Sequence, residues 1–233
     1  MDQQTAEKIL RETELGYDFI SNKFSETRKY FWRGLEFIGD FAKKGDTVLD
    51  FGCGNGRLLE LFSNKENIQY YGVDVSARLV DIAKEKHQTS SANFQKIDPI
   101  WQSISFNDEF FNTIYSIAVF HHFPSKKYRE KCAKELFRVT KKGGCVVVTV
   151  WNLWQGKYVT KILKNWYNKI IGESELDWNN CYIRFRDNKG NVFQRFHHAF
   201  TKNELEKLFS NAGFKIDRCE VVDNRNILLV AKK

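Results

Sequence analysis

The sequence predicts an α/β fold: a seven-stranded, mostly parallel sheet with helices on both faces and an antiparallel terminal strand pair. Three observations predict it. Short β-branched or aromatic runs alternate with helical periods between residues 47 and 150, the order that builds parallel sheets. A glycine-rich loop follows the first of those runs. Two last apolar runs, 214–222 and 227–231, flank Asp223-Asn224-Arg225, which suits an antiparallel edge pair.

Residues 1–44 read as helical, because apolar positions recur at helical spacing through Ile9, Leu10, Phe19 and Ile20, then Phe31, Leu35 and Ile38. Residues 47–51 form the first strand, 52–56 a loop, and 57–63 the start of a helix. A second strand at 70–73 leads into a helix at 77–86. A brief third strand at 94–97, a fourth at 113–119 and a helix at 127–139 follow. Lys141-Lys142-Gly143-Gly144 reads as a turn into the strand 145–150. The alternation then lapses. An aromatic-bearing helix spans 157–171, and 181–197 form a hairpin turning at 187–191. A helix at 202–212 is stopped by Gly213.

Composition narrows the class. Of 233 residues, 42% are hydrophobic and 28% charged, which allows a packed core and excludes wholesale disorder. No apolar run approaches the roughly 20 residues that span a bilayer. The polar first ten residues argue against a typical secretory signal. Five widely spaced cysteines without a CxxC pair argue against a disulfide framework or a zinc ribbon, and the reducing cytoplasm is the expected location. Net charge is +8, with 15 basic against 9 acidic residues in 151–233. That excess suits a polyanionic partner, or solubility alone.

The informative motif is Asp50-Phe51-Gly52-Cys53-Gly54-Asn55-Gly56. Gly52, Gly54 and Gly56 permit a tight turn after the first strand and close approach of a ligand. The next helix would aim its first amides at that ligand. The dinucleotide spacing GxGxxG fails, because position 57 is arginine. Asp74 ends the second strand, 18 residues past Gly56, where a carboxylate can accept from ribose hydroxyls. Asp98 follows the third strand and could accept from an adenine amino group. Alone, each acid is equally a helix cap or turn residue; together they frame one crevice at the carboxyl edge of the sheet.

With these residues the chain resembles the class I S-adenosylmethionine-dependent methyltransferases, a Rossmann-like superfamily. Asp50 to Gly56 match its first motif, Asp74 its ribose-binding acid and Asp98 its adenine-side acid. The segment 117–121 matches the strand-four stretch lining the donor, and Lys142-Gly143-Gly144 the turn before strand five, with Lys142 where proline is usual. The resemblance covers about residues 45–150 and the terminal strands. It implies S-adenosyl-L-methionine as cofactor, held by Asp50, Gly52, Cys53, Gly54, Asn55, Gly56, Asp74, Val75, Ile97, Asp98 and Ile117. No metal is expected, because His121-His122 and His197-His198 are adjacent pairs whose side chains diverge and no acidic cluster with ligand spacing sits beside them. The resemblance also divides a single domain into an N-terminal helical lid (1–44), a donor-binding core (45–150), a substrate-side insertion (151–200) and a terminal helix with strands (201–233).

A narrower resemblance is to the tRNA wobble-uridine methyltransferases that esterify a carboxymethyl group. Phe24-Ser25-Glu26-Thr27-Arg28 with Trp32, the stretch 116–123 with His121-His122, Val150-Trp151, and Arg195-Phe196-His197-His198-Ala199-Phe200 with Glu204-Leu205 are similar to that family's segments in the same order. His197 stands where the family usually has an aromatic hydroxyl, and 156–194 have no counterpart. The resemblance implies His121, Arg28 and Arg195 as catalytic residues, the tRNA anticodon loop as acceptor, and a small activator subunit as a possible partner of a monomer. Other uses stay open. His121 can cap a helix or act as a base for a hydroxyl or amine acceptor. Arg28 can pair with Glu26 or Asp18, and Arg195 can be a surface charge. The tryptophans and lysines of 151–200 suit an anticodon cradle or a lid over a small-molecule substrate. A non-catalytic scaffold is disfavoured by the intact donor motif.

Overall fold

The computed structural model describes residues 1–88, 90–187 and 190–233. Among the described residues nine strands fall in chain order: β1 (Thr47–Phe51), β2 (Gln69–Asp74), β3 (Asn93–Lys96), β4 (Phe111–Ile117), β5 (Thr140–Trp151), β6 (Asn180–Arg186), β7 (Val192–His198), β8 (Lys215–Val222) and β9 (Asn226–Lys232). Five α-helices accompany them: α1 (Gln3–Glu26), α2 (Ala77–Lys86), α3 (Lys126–Val139), α4 (Gly156–Ile170) and α5 (Lys202–Ala212).

Seven strands form one sheet in the order β3-β2-β1-β4-β5-β9-β8. β1 to β5 are mutually parallel, and β9 runs antiparallel to both neighbours. β1 is buried along its whole length, as a central strand covered on both faces must be. On one face, Leu136 of α3 and Phe209 of α5 pack over Ile114, Val146 and Leu229. On the other, Val80 and Ala83 of α2 join Val48, Tyr115 and Val147. β6 and β7 form a separate antiparallel ribbon.

The predicted fold class holds, with three local corrections. Residues 1–44 are not one helical run: α1 ends at Glu26, and only a short 3-10 turn, Glu36–Phe41, follows. Residues 57–62 form a 3-10 turn rather than an α-helix, so no long helix aims its amides at the loop. The Lys141–Gly144 stretch lies within β5, where the pairing with β4 shifts register and Gly143 takes φ +76°. The hairpin of 181–197 is the β6–β7 ribbon; Asn188 and Lys189 of its predicted turn lie outside the described residues.

The ribbon is joined to the core by a buried polar chain. His198 shares hydrogen bonds with Asn180 Oδ1 and Glu204 Oε1, both 2.7 Å, and Asn180 Nδ2 donates to the Pro124 carbonyl at 3.1 Å. Along β7 side chains alternate, so Arg195 and His197 share one face while Phe196 and His198 take the other. Fixing His198 to α5 therefore turns Arg195 and His197 the opposite way, towards the sheet edge.

Candidate active site

A pocket opens at the carboxyl ends of β1, β2 and β4, the position expected at a topological switch point. Its floor is the loop after β1. Gly52 takes φ +83°, and a Cβ there would lie 2.2 Å from Val119 Cγ2, so only glycine fits. Gly54 takes φ +54° and donates its N–H to Asp74 Oδ2 at 2.8 Å. The other Asp74 oxygen accepts from Ser76 N at 2.9 Å. Asp74 is 9% exposed, and burial raises its carboxyl above the usual value against these backbone donors. Asp50 accepts from the Tyr70 hydroxyl, and burial pushes its carboxyl up to about 7.

Of the residues assigned to the cofactor, Asp50, Gly52, Cys53, Gly54, Asn55, Asp74, Val75, Ile97 and Ile117 line this pocket. Gly56 does not; it closes the loop in a left-handed conformation, φ +73°. Asp98 is not brought in either. Its carboxylate is 54% exposed, pairs with Arg11 at 3.1 Å and accepts from Ile100 N, while Ile97 and Pro99 beside it face the pocket. Asp98 lies two residues past the end of β3, and its side chain turns outward to Arg11.

α1 crosses over the pocket. Asp18 accepts from Ser76 Oγ at 2.6 Å and from Arg78 N at 3.1 Å, and Glu14 pairs with Lys96 at 2.6 Å. Asn55 Nδ2 donates to Ser25 Oγ at 3.1 Å and the Arg28 carbonyl at 3.2 Å, leaving Asn55 Oδ1 buried without a partner among the described residues.

The far wall is cationic and aromatic. Arg195 is 6% exposed, with its guanidinium 5.1 Å from the Trp151 ring centre and 5.2 Å from that of Phe185. It is not a surface charge, and its Nε has no partner. Arg28 lies 4.2 Å from the Phe24 ring centre and bonds Thr27 Oγ1, not Glu26 or Asp18. Burial lowers the Arg28 guanidinium below its usual value, and Arg195 acts in the same direction. Among the described residues neither arginine meets a carboxylate. Arg57, which sequence reasoning passed over, also lines the pocket, 4.3 Å from the Trp32 ring centre. Burial and then Arg28 push its guanidinium down to about 10.

Three imidazoles meet here. His121 follows β4 in the turn Phe120–His122, and its ring stacks on His197 at 4.9 Å. His121 caps no helix; the Ser125 side chain caps α3. Instead Trp151 N donates to His121 Nδ1 at 3.3 Å, so the neutral ring carries its proton on Nε2. His122 Nδ1 donates to the Phe196 carbonyl at 2.8 Å, so its Nε2 accepts from the Tyr17 hydroxyl, also at 2.8 Å. His197 Nδ1 donates to the Arg195 carbonyl at 3.0 Å, leaving Nε2 a buried acceptor without a partner. Ring nitrogens of the three histidines lie within 4.8 Å of one another, a grouping with metal-ligand reach. From sequence the pairs 121–122 and 197–198 look divergent; the fold brings His197 across to the first pair. Both His122 nitrogens are taken, and the Arg195 cation borders the group, which opposes a further cation. Burial drives His121 and His197 well below the usual imidazole value and His122 down to about 3. All three are neutral donors or acceptors near pH 7, and poor bases. Tyr17, from α1, is the other residue the sequence did not reveal: a lone tyrosine on a helix face carries no local signal.

A crevice of this form, with glycine loop, strand-end acid and capping helix, defines a class I methyltransferase. The methyltransferase-domain family model matches residues 24–218, and the chain belongs to that family. A tRNA (carboxymethyluridine(34)-5-O)-methyltransferase of Arabidopsis thaliana is 34% identical over 64% of this chain and 34% of its own length. The chain thus spans about a third of that relative. One of the same name from Schizosaccharomyces pombe is 29% identical over 86% of this chain and 87% of its own. In fold, a SAM-dependent methyltransferase from Methanosarcina mazei superposes with a TM-score of 0.70 at 23% identity, covering 88% of this chain and 98% of its own. The chain carries a methyltransferase domain on the fold shared by S-adenosylmethionine-dependent methyltransferases.

The residues present fit that cofactor. The glycine loop leaves room that a Cβ would fill, the orphaned Asn55 Oδ1 offers an acceptor, and each Asp74 oxygen keeps a lone pair after its backbone bond. Among the described residues no helix is long and apolar enough to cross a membrane.

Proposed function

We propose that the enzyme methylates a carboxylate, and that this carboxylate is the carboxymethyl group of a modified wobble uridine in tRNA. One observation carries the first part: a buried arginine without a carboxylate partner, Arg195, stands beside three neutral imidazoles. A buried cation needs an anion, and the described chain does not provide one. A hydroxyl or amine acceptor would need a base, and imidazoles held this far below their usual value serve poorly. A carboxylate is already a nucleophile at neutral pH. The tRNA part is supported by the names and coverage of the relatives and by the positive charge of 151–233.

On this reading Asp74 receives the donor's ribose hydroxyls, and the loop from Gly52 to Asn55 with Asp50 holds its amino-acid end. Ile97, Val75 and Ile117 supply apolar walls. When bound, S-adenosylmethionine supplies a methyl carbon on a positively charged sulfur, which keeps the bonding pair as the acceptor oxygen takes the methyl group. Arg28 and Arg195 hold one acceptor oxygen, and His121 Nε2–H donates to the carboxylate, so the free lone pair faces the donor. Alignment is the enzyme's main contribution, since no proton has to move. α1 acts as a lid: amide exchange across residues 3–26 slows when donor is added, and unchanged exchange there would count against the lid.

The test is transfer of labelled methyl from donor to bulk tRNA followed by nucleoside analysis. Label in a carboxymethyl-type uridine is the expected result; label confined to small molecules supplied in its place would refute the tRNA acceptor.

A further inference from the structure

A second groove, of about 760 Å³, adjoins the pocket and shares Arg28, Trp32 and Trp151 with it as common walls. Three distant segments frame it: residues 28–35 after α1, 151–158 running from β5 into α4, and the 223–226 turn between β8 and β9. Their mutual placement is fixed by backbone and side-chain contacts. Asn152 N donates to the Arg225 carbonyl at 2.8 Å, and Gln155 Nε2 donates to the Asn224 carbonyl. Gly34 lies against the Asp223 carboxylate, where a Cβ would sit 3.1 Å from Oδ2.

The groove has the chemistry of a polyanion site with stacking surfaces. Arg33 and Arg225 are exposed at its rim, and among the described residues neither has an ion-pair partner. Asp223 is the one acid lining it. Trp32 and Tyr158 present ring surface. The first turn of α4 points into the same space, and Gln155, its N-cap residue, makes no side-chain capping bond, so the positive helix end faces the groove.

On the reading that the acceptor is an RNA, we propose that this groove holds the nucleotides flanking the target: Arg33 and Arg225 contact phosphates, and an unstacked base lies against Tyr158. Flanking strand leaving the pocket past Arg28, Trp32 and Trp151 enters this groove directly. Trp154 and Trp166, two of the tryptophans of 151–200, do not line this groove. They instead pack around Leu153, Ile162 and Ile183 in a small core of their own. Lys161 and Lys164 lie on the exposed side of α4, away from the shared walls.

The experiment measures bulk-tRNA affinity as a function of salt for the wild type, for Arg33→Ala/Arg225→Ala and for Arg33→Lys/Arg225→Lys, with donor affinity by calorimetry alongside. Loss of two phosphate contacts should weaken tRNA binding about tenfold at low salt and reduce the log–log salt slope by about two. The lysine pair should restore most of both, and donor affinity should not move. Tyr158→Ala should weaken binding about five- to tenfold with the slope unchanged. Wild-type tRNA binding that survives Arg33→Ala/Arg225→Ala with affinity and slope intact overturns the groove and leaves the RNA acceptor standing. A wild type without salt-sensitive tRNA affinity overturns both. Photo-crosslinks from thiouridine-bearing tRNA that fall on Lys161 and Lys164 instead of residues 28–35 or 223–226 also overturn the groove.

Discussion

The donor side and the acceptor side of the pocket are built differently. The donor side comes from one stretch: Asp50, the loop Gly52–Asn55 and Asp74 lie within 25 residues, and Gly54 N–H donates to Asp74. Its acids are held by hydrogen-bond donors: Asp74 by backbone amides and Asp50 by the Tyr70 hydroxyl. The acceptor side is assembled from Tyr17 and Arg28, His121 and His122, Trp151, and Arg195 and His197, residues spread over most of the chain. Its charges are cations without anions. On the proposed reading, a local loop recognises a constant cofactor, whereas a nonlocal assembly is free to vary with the acceptor.

The first way to break this contrast is on the donor side. Asp74→Ala leaves the Gly54 and Ser76 amides without their acceptor and removes the carboxylate facing the donor. Donor binding by calorimetry should fall at least a hundredfold in a protein that circular dichroism shows to be folded. Retained affinity would remove Asp74 from the donor site.

On the acceptor side, Arg195→Ala should spare donor affinity and lower kcat/KM about a hundredfold. That corresponds to about 2.7 kcal/mol, within the range for a bond to a charged group. Arg195→Lys should recover only part, because a point charge does not reproduce the planar fork. Equal losses in donor affinity and turnover would mean that the two sides are not separate.

Tyr17→Phe removes the only described partner of His122 Nε2, leaving a buried acceptor unsatisfied. Stability to urea should drop by about 1–2 kcal/mol. An unchanged midpoint would show that α1 does not rest on the imidazoles.

The smallest effect is on pH dependence. His122 titrates near 6.5 when unfolded but about 3 when folded, so between those values the unfolded chain binds more protons. Its contribution is present above pH 6.5 and is lost as pH falls towards 3. Asp50, raised to about 7, runs the other way, contributing below about 4 and losing that as pH rises through 7. His122→Asn should therefore flatten the fall in urea midpoint between pH 6.5 and 5 relative to the wild type. A steeper fall in the variant would contradict the neutral imidazole.

The same contrast decides what could be read from sequence. Strands β1 to β5 and helices α2, α3 and α5 were legible because their periods are local, and the glycine loop because backbone geometry restricts residue type. Residues 57–62 were misread because a six-residue 3-10 turn and the start of an α-helix share the same apolar spacing. Asp98 was misplaced because position after a strand does not say which way a side chain turns. In the sequence Arg195 is as readily a surface charge as a catalytic residue; the His198–Glu204 bond fixes the ribbon and turns it inward. The meeting of His197 with His121 and His122 had no local sign at all.

Alkali lability of the transferred methyl group tests the central claim most directly. If the acceptor side is built for a carboxylate, the product is an ester, and mild alkali should release the label from tRNA as methanol. Label that stays on the nucleoside after the same treatment would mean methylation of a base or ribose atom, and would contradict the account.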